Sequence, residues 1–81
     1  MTTKDDIRYW LDEAKRKGAT HMIVVCDDYN YYDYPVHVDA TQSASAVVAD
    51  YNTRSMQRVM ECYNLALDIE AQLNERRAFH V

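Results

Sequence analysis

Glycine and proline are almost missing from this chain: Gly18 and Pro35 are the single examples in 81 residues. A glycine-rich loop that cradles phosphate with its amides is thereby excluded, and Gly18 already fits the end of a helix. Cysteine is nearly as scarce. Cys26 lies in an apolar run and Cys62 among residues of helical character, which suits buried free thiols better than a disulfide. No CxxC or HxxxH spacing occurs, so a zinc site lacks its ligands. No apolar stretch approaches the roughly 20 residues that span a bilayer, and the opening MTTKDD has no signal-peptide core. A cytosolic protein is expected, with no membrane contact. One domain over residues 1–81 buries a small core, and with disulfide and metal set aside, self-association as a homo-oligomer is the expected supplement.

Positive charge is missing from one third of the chain. Residues 1–18 sum to +1 and residues 53–81 to zero, whereas residues 19–52 hold five Asp and no Lys or Arg, giving −5 of the net −4. A surface of that sign repels nucleic-acid phosphate and attracts a basic partner, so direct nucleic-acid binding is not expected.

What is present is strongly patterned. Ile7, Trp10, Leu11 and Ala14 form a helical stripe, opened by a Thr3–Asp6 capping box and closed at Gly18. His21 to Asp27 (HMIVVCD) reads as a strand with both faces apolar, which needs cover on both sides. One helix layer covers one face; a further helix or another subunit covers the other. Tyr34 to Asp39 (YPVHVD) is the second strand, with Pro35 at a start or an edge, Val36 and Val38 inward, and His37 outward. DYNYYD between them is a long hairpin loop. Ser43 caps a second helix striped by Ala44, Val47, Val48 and Tyr51. Met56, Val59, Met60 and Tyr63 repeat the helical spacing; Leu65, Ile69 and Leu73 fall on another face. Residues 54–77 therefore read as two helices kinked near Asn64–Asp68, with Arg76 and Arg77 in the last turn, or as one long curved helix. The expected fold class is α+β: an N-terminal helix, a two-stranded β-hairpin and two to three C-terminal helices, completed by oligomerisation.

The hairpin tip Asp27–Tyr34 (DDYNYYDY) concentrates four of the seven tyrosines beside three acids. Tyrosine gives large contact area at low entropy cost, so the tip reads as a partner-binding surface made by Asp27, Asp28, Tyr29, Tyr31, Tyr32, Asp33, Tyr34 and the nearby His37. The competing reading folds about half of these rings back over the sheet. A calcium loop is not formed, because Asp28-x-Asn30 supplies only the first two ligands. No metal or cofactor is expected. Catalysis would draw on His21, His37, His80, Cys26 and Cys62. Cys26 and His37 are expected to face opposite ways, and a cluster of Asp27, Asp39 and His37 on the outer sheet face is weaker than ordinary surface placement. A small nucleotide, stacked on His37 with its phosphate at Arg54 or Arg58, is the alternative ligand. Phe79 of the terminal AFHV is expected to dock on the body.

The strings GATHMIVVCD (Gly18–Asp27), DYPVHV (Asp33–Val38) and MQRVMECYNLALDIEAQLNERRAFH (Met56–His80) resemble a family of small uncharacterised proteins carried by phages, prophages and bacterial accessory DNA. Val38–Asn52 is the part least like it. The family has no established activity to carry over. By analogy, the resemblance implies a non-enzymatic accessory protein that binds and inhibits a host defence protein with a basic surface, or sequesters a signalling cyclic nucleotide.

Overall fold

Thr3 and Asp6 exchange side-chain and backbone hydrogen bonds in the expected capping box and so start α1 (Lys4–Arg16). Gly18, at φ 73°, follows its last turn in the left-handed conformation that glycine adopts without strain. The computed structural model describes residues 2–81, and α1 is followed by β1 (His21–Asp27), β2 (Tyr32–Val38), α2 (Ala44–Thr53), β3 (Gln57–Asn64) and α3 (Ile69–Leu73). The strands form one antiparallel sheet in the order β2-β1-β3. Pro35 accordingly sits on an edge strand, where its missing N–H leaves no gap in the central ladder.

The third strand corrects the sequence reading. Residues 57–64 are not helical, and the sheet has three strands rather than a two-stranded hairpin. A bulge explains the misleading spacing. Val24 pairs with Glu61 but Val25 pairs with Val59, leaving Met60 unopposed. The extra residue shifts the alternation, so Val59 and Cys62 pack on one face while Met60 and Tyr63 pack on the other. Two interleaved pairs three residues apart imitate a helical stripe. Past the kink expected near Asn64–Asp68 a helix does follow, capped by the Asp68 side chain. That helix ends at Leu73, so Arg76 and Arg77 lie beyond it.

As the central strand, β1 is buried from Met22 to Cys26. Met22 and Val24 pack with Ile7, Leu11 and Ala14 of α1, Tyr63, Leu73 and Ala78. Ile23 and Val25 pack with Val38, Val59, Cys62 and Ala44 and Val48 of α2. Each buried Val, Leu, Ile or Met among them contributes about 1.5–3 kcal/mol by leaving water. Both faces of β1 are thus covered by the chain's own helices, and the apolar strand that suggested a second subunit has its cover without one.

The C-terminal segment runs along β3. Cys62 and Phe79 form a parallel bridge, with Cys62 N–H donating to Ala78 O at 3.0 Å and His80 N–H to Cys62 O at 2.9 Å. Ala78 is the fully buried residue of this segment; Phe79, expected to dock on the body, remains 43% exposed, with the Arg77 guanidinium 5.2 Å over its ring. Arg77 also donates to Met60 O at 2.7 Å and Val59 O at 3.3 Å, satisfying carbonyls that the bulge exposes. Among the described residues, no helix is long and apolar enough to cross a membrane.

Candidate functional site

The hairpin turn is shorter than the sequence suggests. Asp27 pairs with Tyr32, so only Asp28, Tyr29, Asn30 and Tyr31 lie outside the ladder. Tyr31 N–H donates to Asp27 O at 2.7 Å, and the Asp27 carboxylate accepts from Tyr29 N–H at 2.9 Å. Closing a four-residue turn in this way puts Tyr31 at φ 56°, a left-handed conformation unusual for a bulky residue. A second anchor comes from the start of β3. Asp28 N–H donates to Met56 O at 2.8 Å, and Arg58 Nε donates to the Asp28 carboxylate at 3.0 Å.

Three rings at and beside the turn stand in water: Tyr29 is 76% exposed, Tyr31 84% and Tyr32, the first residue of β2, 60%. Tyr34 does not join them. Its ring packs with Val36 and Tyr51 against the α2-side core, and its hydroxyl donates to Gln57 Oε1 at 2.6 Å. Burial pushes its phenol above the ordinary value. His37 also leaves the group. It opposes Met22 on the α1 face, beside Trp10, Glu13 and Lys17, and its buried Nε2 has no hydrogen-bond partner, so it is neither outward nor stacked among the exposed tyrosines. Asp33 opposes Cys26 and lines a separate crevice with Glu61, Arg76 and Arg77.

Of the predicted residues, then, Asp27, Asp28, Tyr29, Tyr31 and Tyr32 are brought together, while Asp33, Tyr34 and His37 are turned elsewhere. Met56 and Arg58 complete the tip. Met56 is half-exposed and carries its own left-handed φ of 64°. Nothing local in the sequence marks these two, because they join the tip only through the pairing of β3 with β1.

The electrostatics are milder than the charge sum. Arg58 offsets Asp28, and Arg54 donates to the Asp50 carboxylate at 2.7 Å while its guanidinium lies 4.1 Å over the Tyr51 ring. Both arginines nominated for a nucleotide phosphate are therefore engaged. Asp27, Asp33 and Asp39 have no ion-pair partner among the described residues.

The nucleophile candidates are held in unreactive form. Cys26 and Cys62 are free and buried. Burial, with Asp33 nearby, raises the Cys26 thiol, and burial pushes Cys62 up to about 11 against a weaker opposing hydrogen bond at the His80 backbone. Both are protonated at neutral pH. Cys26 and His37 share a face rather than opposing one another, but four positions of β1 separate them, roughly 13 Å at about 3.3 Å per residue. Asp39 lies past the far end of β2, where Thr41 holds its carboxylate below the ordinary range. It forms no cluster with Asp27 and His37. His80 is tied to the Glu75 carboxylate at 2.9 Å. No protein-family model, curated protein or solved structure matches the chain.

Proposed function

We propose that this chain is a non-enzymatic binding protein that recognises another protein through the turn carrying Tyr29, Tyr31 and Tyr32. The observation that carries the reading is the exposure of three adjacent tyrosines on a turn pinned at both ends. Exposed rings beside carboxylates are a recurrent composition of recognition surfaces, and a pre-ordered turn lowers the entropy lost on binding. A partner suited to it offers ring-sized apolar pockets with a basic rim, matching the tyrosines and Asp27. On the resemblance to phage-borne accessory proteins, that partner is a host protein in the host cytosol, inhibited by being covered.

The test is capture by the full chain from host lysate, with retained proteins identified by mass spectrometry. The triple variant Tyr29→Ser, Tyr31→Ser, Tyr32→Ser should lose the specific partner while keeping the native circular dichroism. Unchanged capture by a folded triple variant would sink the proposal. Light scattering on the same pair tests the other occupant of such a surface, a second copy of the chain. A wild-type oligomer that the three serines dissociate would assign the tip to self-association.

A further inference from the structure

A crevice of about 300 Å³ opens on the α1 face of the sheet, between the start of α1 and the C-terminal segment. That is the low end of the volumes that small-molecule sites occupy. Its floor is apolar: Val24 of the central strand, with Ile7 and Met60 beside it. Met60 is the residue that the bulge leaves unopposed, so the extra residue of β3 shapes one wall.

Four charged side chains stand around that floor: Asp33, Glu61, Arg76 and Arg77. Asp33 opposes Cys26 from β2, and Glu61 opposes Val24 from β3, so the two acids flank the central strand. Their backbones lie two strand spacings apart, about 10 Å. None of the four forms an ion pair among the described residues. Two of them are anchored to backbone instead of to each other. The Glu61 carboxylate accepts from Ala78 N–H at 3.2 Å. Arg77 spends Nε on Met60 O at 2.7 Å and Nη2 on Val59 O at 3.3 Å, which leaves Nη1 as a donor. The crevice thus holds charges of both signs in place before any ligand arrives.

Balanced walls decide the charge of the occupant. Two acids and two arginines sum to zero, so a simple anion meets two carboxylates and a simple cation meets two guanidiniums. A ligand carrying both signs answers all four. The separation of the acids then decides its length. An ammonium and a carboxylate on one carbon reach Glu61 and the arginines on the β3 side. Asp33, across β1, is reached only by a second cation on an aliphatic arm laid over Val24. Lysine has that form, an ammonium on a four-carbon stem. Such stems pack on apolar surface while the charged head stays at the rim.

We infer that this crevice binds a free diamino acid of lysine's length. Its carboxylate lies on Arg76 and Arg77, its α-ammonium on Glu61 and its terminal ammonium on Asp33, with the methylenes over Val24 and Met60. The site is independent of the tyrosine turn. The experiment titrates the full chain with L-lysine and follows the methionine methyl resonances. A saturable shift at Met60 is expected, with Met56 beside the turn unmoved. Norleucine, which lacks only the terminal ammonium, and cadaverine, which lacks the carboxylate, should each bind about tenfold more weakly. Asp33→Asn should weaken lysine about tenfold and leave norleucine unchanged, while the fully buried Met22 methyl reports a native core. Nα-acetyl-lysine, a stand-in for the last residue of a polypeptide, should bind more weakly than lysine. Absence of a saturable Met60 shift, equal affinity for norleucine or cadaverine, an equal effect of Asp33→Asn on lysine and norleucine, or tighter binding of Nα-acetyl-lysine would each overturn the assignment.

Discussion

Arg58 reaches from β3 to the Asp28 carboxylate at 3.0 Å, so the most acidic stretch of the chain carries a cation supplied from 30 residues further on. Both side chains are more than a third exposed or close to it, so the pair adds little to stability and mainly sets the charge of the tip. Arg58→Ala should leave the melting temperature essentially unchanged. The same variant should bind a cationic probe such as octa-lysine several-fold more tightly at low salt, and lose that advantage at high salt. Equal binding by the two proteins would remove charge from the account of the tip.

Gln72 is the one buried polar side chain among the described residues, 2% exposed. Its carbonyl accepts from Asn64 N–H at 2.8 Å, and its amide donates to Asn64 O at 2.9 Å and Asp68 O at 3.2 Å. The end of β3 thus completes its hydrogen bonds through a side chain instead of another strand. Gln72→Met keeps the volume and removes all three bonds. Urea denaturation should report a loss of about 2–4 kcal/mol, since each buried backbone group left unpaired costs about 1–3. A loss below half a kcal/mol, on the order of an ordinary surface substitution, would mean that solvent replaces the clamp freely.

His21 and His37 define a pH dependence. Burial lowers both below the ordinary histidine value; at His37, Lys17 lowers it further while Glu13 and the Trp10 backbone oppose. A lowered folded value means the unfolded chain binds the proton first. The stability from keeping these rings neutral is therefore fully present above the unfolded value of about 6.5 and is lost as pH falls below it. The melting temperature should be flat from about pH 7 to 8 and fall from about 6.5 toward 5. The double variant His21→Gln, His37→Gln should flatten that slope, and an unaltered slope would place the titration elsewhere.

Thiol chemistry follows from the same burial. With Cys62 pushed up to about 11 and Cys26 raised as well, labelling of the native chain by a disulfide reagent at pH 7.5 should be slow. Denaturant should release two thiols at once. Rapid labelling of one thiol in the native state would show that Cys26, at the exposed end of its strand, opens locally.

The elements whose signals are local were legible in the sequence. The capping box at Thr3, the break at Gly18, the apolar run of β1 and the cap at Ser43 each specify their own backbone, and the structure has all four. β3 was not legible, because one unopposed residue, Met60, converts a two-residue period into apparent three-residue spacing. With β3 hidden, the sheet lost a strand, and Met56 and Arg58 could not be placed beside the turn. The candidate site was legible by composition but not by direction. Tyr29, Tyr31 and Tyr32 were separated from Tyr34 and His37 only by strand register, and register depends on the partner strands.

Tyr31 offers the most direct measurement of the central claim. Its left-handed φ of 56° costs about 1–2 kcal/mol in a residue with a side chain, while glycine there costs roughly 0.5–1 kcal/mol in extra unfolded-state entropy. Tyr31→Gly should therefore match or slightly exceed the wild-type stability in urea denaturation. Partner capture by the same variant should fall sharply, because the most exposed ring of the turn is gone. A variant that is as stable as wild type and captures its partner equally well would contradict recognition through the tyrosine turn.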